Sequence, residues 1–237
     1  MHTRAICIAA LGLLAATGGA AAQEPELMPL RGRAGIALTY AQPVGEFADF
    51  VDRGFGLSGH FLLALDGSGA LGLRADGGFL IYGDETKRVC FSTTVGCRVE
   101  VDVNTTNNIA FLNIGPQLSL PYGPIQPYVN ASIGFAYFGT QSSVEGVNQS
   151  DDIASTTNFD DATFAWQAGG GLRIPVSSGR TPVAIDLGAR YNTNGRVEYL
   201  REGDITDNPD GSITINTQRS EANLVTYSLG MTIGLRW

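Results

Sequence analysis

Ser58, His60 and Asp76 are the one Ser/His/Asp set that this chain could bring together for nucleophilic catalysis. The argument is one of register. If Gly67-Ser68-Gly69 turns the chain between two antiparallel strands, Asp66 pairs with Ala70 and His60 falls opposite Asp76. Both side chains then point the same way, and Ser58 lies two residues along on the same face. A buried histidine beside an aspartate is more often a structural pair in a filled barrel, so no catalytic residue is expected here. Arg33, Arg74, Arg173, Asp186, Arg190 and Arg236 occupy equivalent positions on their own strands. We therefore read His60, Arg74, Asp76, Arg173, Asp186, Arg190 and Arg236 as an interior polar network. The turn "SSGRT" sets Asp186 diagonally near Arg173, a bridge that would obstruct the lumen; a conductive one, with gaps in that network, would make the protein a narrow channel for small solutes, the alternative reading.

The elements that hold these residues show as period-two alternation, repeated eight times. Ala34, Ile36, Leu38 and Tyr40 alternate with Arg33, Gly35, Ala37 and Thr39. Phe55, Leu57, Phe61, Leu63 and Leu65 oppose Ser58, His60 and Asp66; Leu71, Leu73, Ala75, Phe79 and Ile81 oppose Gly72, Arg74, Asp76 and Gly78. The pattern returns over 109–120, 125–137, 164–176 and 183–191, and finally in "YSLGMTIGLRW" at 227–237. The connections sort strictly. Those after strands two, four and six are tight ("DGSG", "PYGP", "SSGRTP"); those after strands one, three, five and seven, at 41–53, 83–106, 140–160 and 193–220, are long and polar. An up-and-down barrel with both termini at one rim has this asymmetry. Within the long connections, Phe47, Phe50 and Val51 have helical spacing, and "NPDG" at 208–211 has the chemistry of a hairpin tip, so strands seven and eight are expected to project beyond the barrel.

Composition says which face meets what. The chain has 237 residues and a formal charge of −8, which argues against nucleic acid as a partner. Residues 1–22 carry a basic start, an apolar run and a small-residue "GGAAAQ", the form of a cleaved secretory signal, followed by a lead-in at 23–30. Lys87 is the sole lysine, and only 16% of residues are charged, whereas water-facing surfaces mix Lys and Glu freely. The polar face is instead Gly, Ser, Thr, Asn, Gln and single charges, which suit a narrow interior. On the apolar face Tyr40, Phe55, Tyr137, Trp166, Tyr191, Tyr227 and Trp237 lie near strand ends, as interfacial girdles require. A secreted lipocalin-like carrier would reverse the two faces. The expected fold is thus all-β, an eight-stranded antiparallel up-and-down transmembrane β-barrel over residues 31–237.

On this pattern the chain resembles the eight-stranded outer-membrane β-barrel superfamily, which includes the OmpA membrane domain, OmpX and the opacity proteins. The resemblance implies a bacterial outer-membrane location, contact with lipid and lipopolysaccharide, and handling by the barrel assembly machinery. In that family an aromatic C-terminal strand is the assembly signal, and Tyr227, Gly230, Ile233, Leu235 and Trp237 match it, with Arg236 and Trp237 extending past the usual final position. Some members modify lipid A with His and Ser, which keeps the Ser58/His60 reading in view as a lesser alternative.

Two features remain. Cys90 and Cys97, six apart in an exported chain, are expected to close a small disulfide loop. Acidic residues cluster in the loops at Asp151, Asp152, Asp160, Asp161, Asp204, Asp207 and Asp210, which read as hydrated loops ahead of a calcium site. No phosphate-binding loop, zinc spacing or nucleotide fingerprint is present, so neither metal nor cofactor is expected. The expected role is structural or one of surface interaction through four long loops, with the extracellular partner undetermined by sequence.

Overall fold

A backbone segment in hydrocarbon has no water to bond, so its N–H and C=O groups must be satisfied by neighbouring strands all the way round. The computed structural model meets that requirement. It describes residues 30–90, 100–146, 152–200, 204–207 and 213–237. The expected signal segment, nearly all of the lead-in and Cys97 lie outside these residues. Of Cys90, only its backbone place is described, at the end of a strand.

Seven long strands, β1 (Leu30–Pro43), β2 (Gly54–Ala64), β3 (Leu71–Cys90), β4 (Glu100–Ser119), β5 (Gln126–Gly146), β6 (Asp152–Ser177) and β7 (Val183–Asn194), run antiparallel in order. Four short strands follow: β8 (Arg196–Tyr199), β9 (Ile205–Asp207), β10 (Ile213–Ile215) and β11 (Gln218–Glu221). The last strand, β12 (Leu224–Arg236), pairs with β7 on one side and β1 on the other and closes the barrel. Closure is close-packed: a Cβ on Gly230 would sit 2.1 Å from the carbonyl oxygen of Ile36 on β1, so only glycine fits there. The tight turns lie where sequence placed them, and Gly69, Gly123 and Gly179 take positive φ values of 74°, 90° and 109° in them. In the first turn the Asp66 carboxylate accepts bonds from the Ser68 hydroxyl and, at 2.9 Å, from the Leu71 N–H, which hold it below the usual aspartate range.

The outward face is apolar and exposed. Ile36 (74%), Leu112 (68%), Leu38 (66%) and Phe135 (66%) exemplify a belt contributed by every barrel strand. Tyr40, Phe55 and Tyr227 cluster at its upper edge, with ring centroids 5.1 and 6.3 Å apart, and Tyr122 and Trp237 lie at the turn side. Among the described residues no helix is long and apolar enough to cross a membrane.

Two long connections differ from expectation. Residues assigned to loops at 83–106 and 140–160 largely continue β3, β4, β5 and β6, which reach 20, 20, 21 and 26 residues and remain paired to Cys90↔Glu100 and Glu145↔Asp152. Roughly ten residues cross a bilayer, so these strands project well past the belt. Polar side chains such as Thr86, Asn104, Thr105 and Ser142 bond across neighbouring strands there, so a sheet wetted on both faces shows no hydrophobic alternation to read. The projection expected of strands seven and eight does not occur in that form. β7 stops at Asn194, and the following segment folds into the β8–β11 and β9–β10 ribbons. The β9–β10 pair is the hairpin expected at 204–215, although its tip lies outside the described residues. The helical spacing near Phe47 is realised as a 3-10 turn, Gly45–Asp49.

Replacing Leu112 with Arg in the middle of the belt should cost about 2–4 kcal/mol of folding free energy in lipid. The same change at exposed Thr157 in the projecting sheet should stay within about 0.5 kcal/mol. Urea unfolding from lipid vesicles measures both.

Candidate functional site in the barrel lumen

The lumen has two layers. On the turn side it is ionic. Arg74 and Asp76, two residues apart on β3, face inward together, and Arg74 Nε donates to Asp76 Oδ1 at 2.8 Å. Arg74 Nη1 donates to Gln117 Oε1 on β4 at 2.9 Å, and Gln117 Nε2 donates to Ser119 Oγ at 2.8 Å. Gln167 Nε2 on β6 donates to Asp76 Oδ2 at 3.3 Å, and Arg190 Nη2 on β7 stands 3.9 Å from Asp76 Oδ1. The second carboxylate, Asp186, lies 3.7 Å from Arg173 Nε and accepts a 2.6 Å bond from Tyr128 Oη. The Arg74 and Arg173 guanidinium carbons sit 5.5 and 5.3 Å from the Tyr128 ring centre, so one aromatic ring serves two cations. Tyr128 can lie over β6 and reach Asp186 on β7 because the wall beneath it is bare: a Cβ on Gly171 would lie 2.5 Å from its hydroxyl.

The structure brings several residues of the expected interior network together and places others differently. The Arg173–Asp186 contact is directly cross-strand, because a register shift between Pro175 and Ser177 moves β6 by one residue against β7. Arg236 lies at the end of β12, and Arg33 interacts electrostatically with it and with Arg173 and Asp186. His60 does stand opposite Asp76, as the turn predicts. The three groups of the triad reading are nevertheless not wired together. Ser58 Oγ is bonded to Thr39 Oγ1 at 2.8 Å, Asp76 is committed to Arg74 and Gln167, and His60 Nε2 is buried with no hydrogen-bond partner among the described residues. A general base must reach its nucleophile and be oriented by a third group. Neither contact is present. Among the described residues no three His, Cys, Asp or Glu side chains group as metal ligands.

Above the ionic layer the lumen is apolar, a feature that the strand pattern alone did not reveal. Phe47 and Val51 enter from the connection after β1, and Val197 and Tyr199 fold in from β8. They pack on Leu80, Ile109, Phe138 and Leu224 of the wall. Phe47 is fully buried, with its ring edge-on to Tyr199 (5.0 Å, 88°) and Phe138 (6.3 Å, 85°). Tyr199 Oη shares a 2.8 Å bond with Ser220 Oγ, and Tyr82 Oη donates to the Leu200 carbonyl at 3.2 Å. A signal was available. In "FLI" (79–81) and "IAFL" (109–112) both strand faces turn apolar, which means that the inward face does too.

No protein-family model matches the chain, and no curated protein matches it. Solved structures do. The chain matches solved outer-membrane β-barrels. They include the attachment invasion locus protein Ail of Yersinia pestis, at 12% identity and a TM-score of 0.44, covering 88% of this chain and all (100%) of Ail. Neisserial surface protein A matches at 11% identity, TM-score 0.41, with 87% and 97% covered. A major outer membrane protein from Thermus thermophilus matches at 10%, TM-score 0.39, with 86% and 99% covered. The agreement is in the strand scaffold and in nothing finer.

Arg74 has nine-tenths or more of its surface buried, and its loss would strand Asp76. Arg74→Met should therefore cost about 3–5 kcal/mol, and adding Asp76→Asn should recover a large part of it. Urea titrations of the single and double variants give the comparison.

Proposed function

We propose that this protein is a small barrel of a bacterial outer membrane whose role is structural or one of surface contact, carried by its projecting β3–β6 sheet and loops. One observation carries the reading: every barrel strand turns an exposed apolar face outward while the inside is filled. On a water-soluble monomer a continuous belt of that size would drive aggregation; against lipid it is the stable side. A secreted ligand carrier needs a hollow apolar centre, and here that space holds Phe47, Tyr199 and the Arg–Asp pairs.

The same filling speaks against the channel reading. Eight strands leave an interior only about wide enough for side chains, and a fully buried aromatic plug tops an ion-paired layer. Catalysis is not part of the proposal, since Ser58, His60 and Asp76 each lack the contact their role would need.

The remaining assignments follow from the class. Residues 1–22 serve as the export signal. Tyr227, Gly230, Ile233, Leu235 and Trp237 on the closing strand serve as the signal to the barrel assembly machinery, and lipopolysaccharide packs on the outer half of the belt. Cys90, at the tip of β3, pairs with Cys97 in the oxidising space outside.

Expressed with its own N-terminus in a diderm bacterium, the protein should fractionate with outer membranes, start near Gln23 by N-terminal sequencing, and migrate differently on gels when unheated. In planar bilayers the folded protein should be silent. Recovery as a soluble periplasmic species, or regular single-channel steps, would overturn the proposal.

A further inference from the structure

The ionic layer is out of balance. Arg74, Arg173 and Arg190 are at least nine-tenths buried, and so are Asp76 and Asp186; three guanidiniums thus share two carboxylates. Arginine cannot shed its proton, so the excess charge stays. The hydrogen bonding is uneven in the same sense. Arg74 is well held, but Arg173 Nε and Nη2 and Arg190 Nε and Nη2 have no hydrogen-bond partner among the described residues, and their carboxylates stand off at 3.7 and 3.9 Å. A buried cation left this way is costly unless something negative completes its shell.

Geometry brings the open donors to one side. Arg173 lies on β6 opposite Asp186, and Arg190 is two inward positions further along β7, opposite Gly169. Asn130 on β5 flanks Gly169 from the other side, and its buried Nδ2 and Oδ1 are both without a hydrogen-bond partner among the described residues, as is Asp186 Oδ2. Between the two arginines the wall is Gly169, Gly171 and Gly188, which add no side chain. A Cβ at Gly188 would meet Ser228 Oγ at 2.6 Å, Tyr128 Oη at 3.3 Å and Arg190 Nη1 at 3.5 Å, so two hydroxyls and the guanidinium border this stretch together.

The lumen has a cavity at one end. At the turn side a cavity of about 260 Å³ is lined by Gly32, Arg33, Leu62, Ala64, Pro121 and Tyr122. Arg33 is half-buried there and interacts electrostatically with Arg173. The other end of the lumen is closed by the apolar plug. The turn side, where Arg33 lies, is thus the end of the lumen that the plug leaves uncovered.

We infer that the barrel interior binds one small monovalent anion of halide size, held by Arg173 and Arg190 with Asn130 beside them. One negative charge offsets the excess of Arg74, Arg173 and Arg190 over Asp76 and Asp186, and Arg33 and Arg236 add positive charge in the same sense.

The probe is bromide. Crystals of the detergent-folded protein grown in sodium bromide should show one anomalous peak within hydrogen-bonding reach of both Arg173 and Arg190. In parallel, refolded protein should show a urea midpoint that rises and saturates with bromide or chloride relative to gluconate at equal ionic strength. Arg190→Gln and, independently, Arg173→Gln should each remove that difference while the protein remains heat-modifiable. Bromide found only on the surface or only at Arg33, or a midpoint indifferent to the anion, would overturn the inference in favour of an adventitious ion only or of water.

Discussion

The structure depends on the pairing of its last strand with its first. Thirteen paired positions join β1 to β12, from Leu30↔Arg236 to Pro43↔Leu224, and without them two strand edges would lie open in an environment with no other hydrogen-bonding partner. Closure also dictates the composition of the strands. Neighbouring backbones come so near each other at Gly230 that a side chain is excluded, and each strand must present greasy groups outward and small or ionic ones inward. The scarcity of lysine and the abundance of glycine are consequences of the same geometry.

Once closed, a ring of eight strands is too narrow to hold water in bulk and too wide to be left empty. The chain fills it in two ways. Near the turns it uses Arg and Asp pairs bridged by Tyr128, Gln117 and Gln167. Near the loops it uses apolar groups brought in from outside the wall, Phe47 and Tyr199 above all. The second layer ties the surface connections to the barrel, so the 3-10 turn and β8 are anchored by burial and not only by their tethers. The freedom to vary without disturbing the core is left to the projecting ends of β3–β6.

What the sequence made legible is what the bilayer enforces. Alternation marked all eight barrel strands and their faces, the loop asymmetry set their order, and the Gly67–Gly69 turn placed His60 opposite Asp76. The hairpin of β9 and β10 and the turn around Phe47 were visible through local turn and spacing chemistry. The extended β3–β6 sheet was not, because strands wetted on both faces carry no two-residue rhythm. The apolar plug escaped because its parts lie far apart in the chain, from Phe47 to Leu224, and wall residues such as Leu80 and Ile109 break the polar inward phase only on the loop side of the belt. The direct Arg173–Asp186 register depends on a one-residue irregularity after Pro175 that no residue type announces.

The central claim, that lipid touches the outward face, can be read from the two tryptophans, Trp166 and Trp237, which both point outward and are 44% and 49% exposed. In vesicles whose lipids carry bromine high on the acyl chain, fluorescence from both should be strongly quenched, while iodide in the water leaves most of it intact. Emission that ignores the brominated lipid and falls with iodide would place these residues in water and contradict the account.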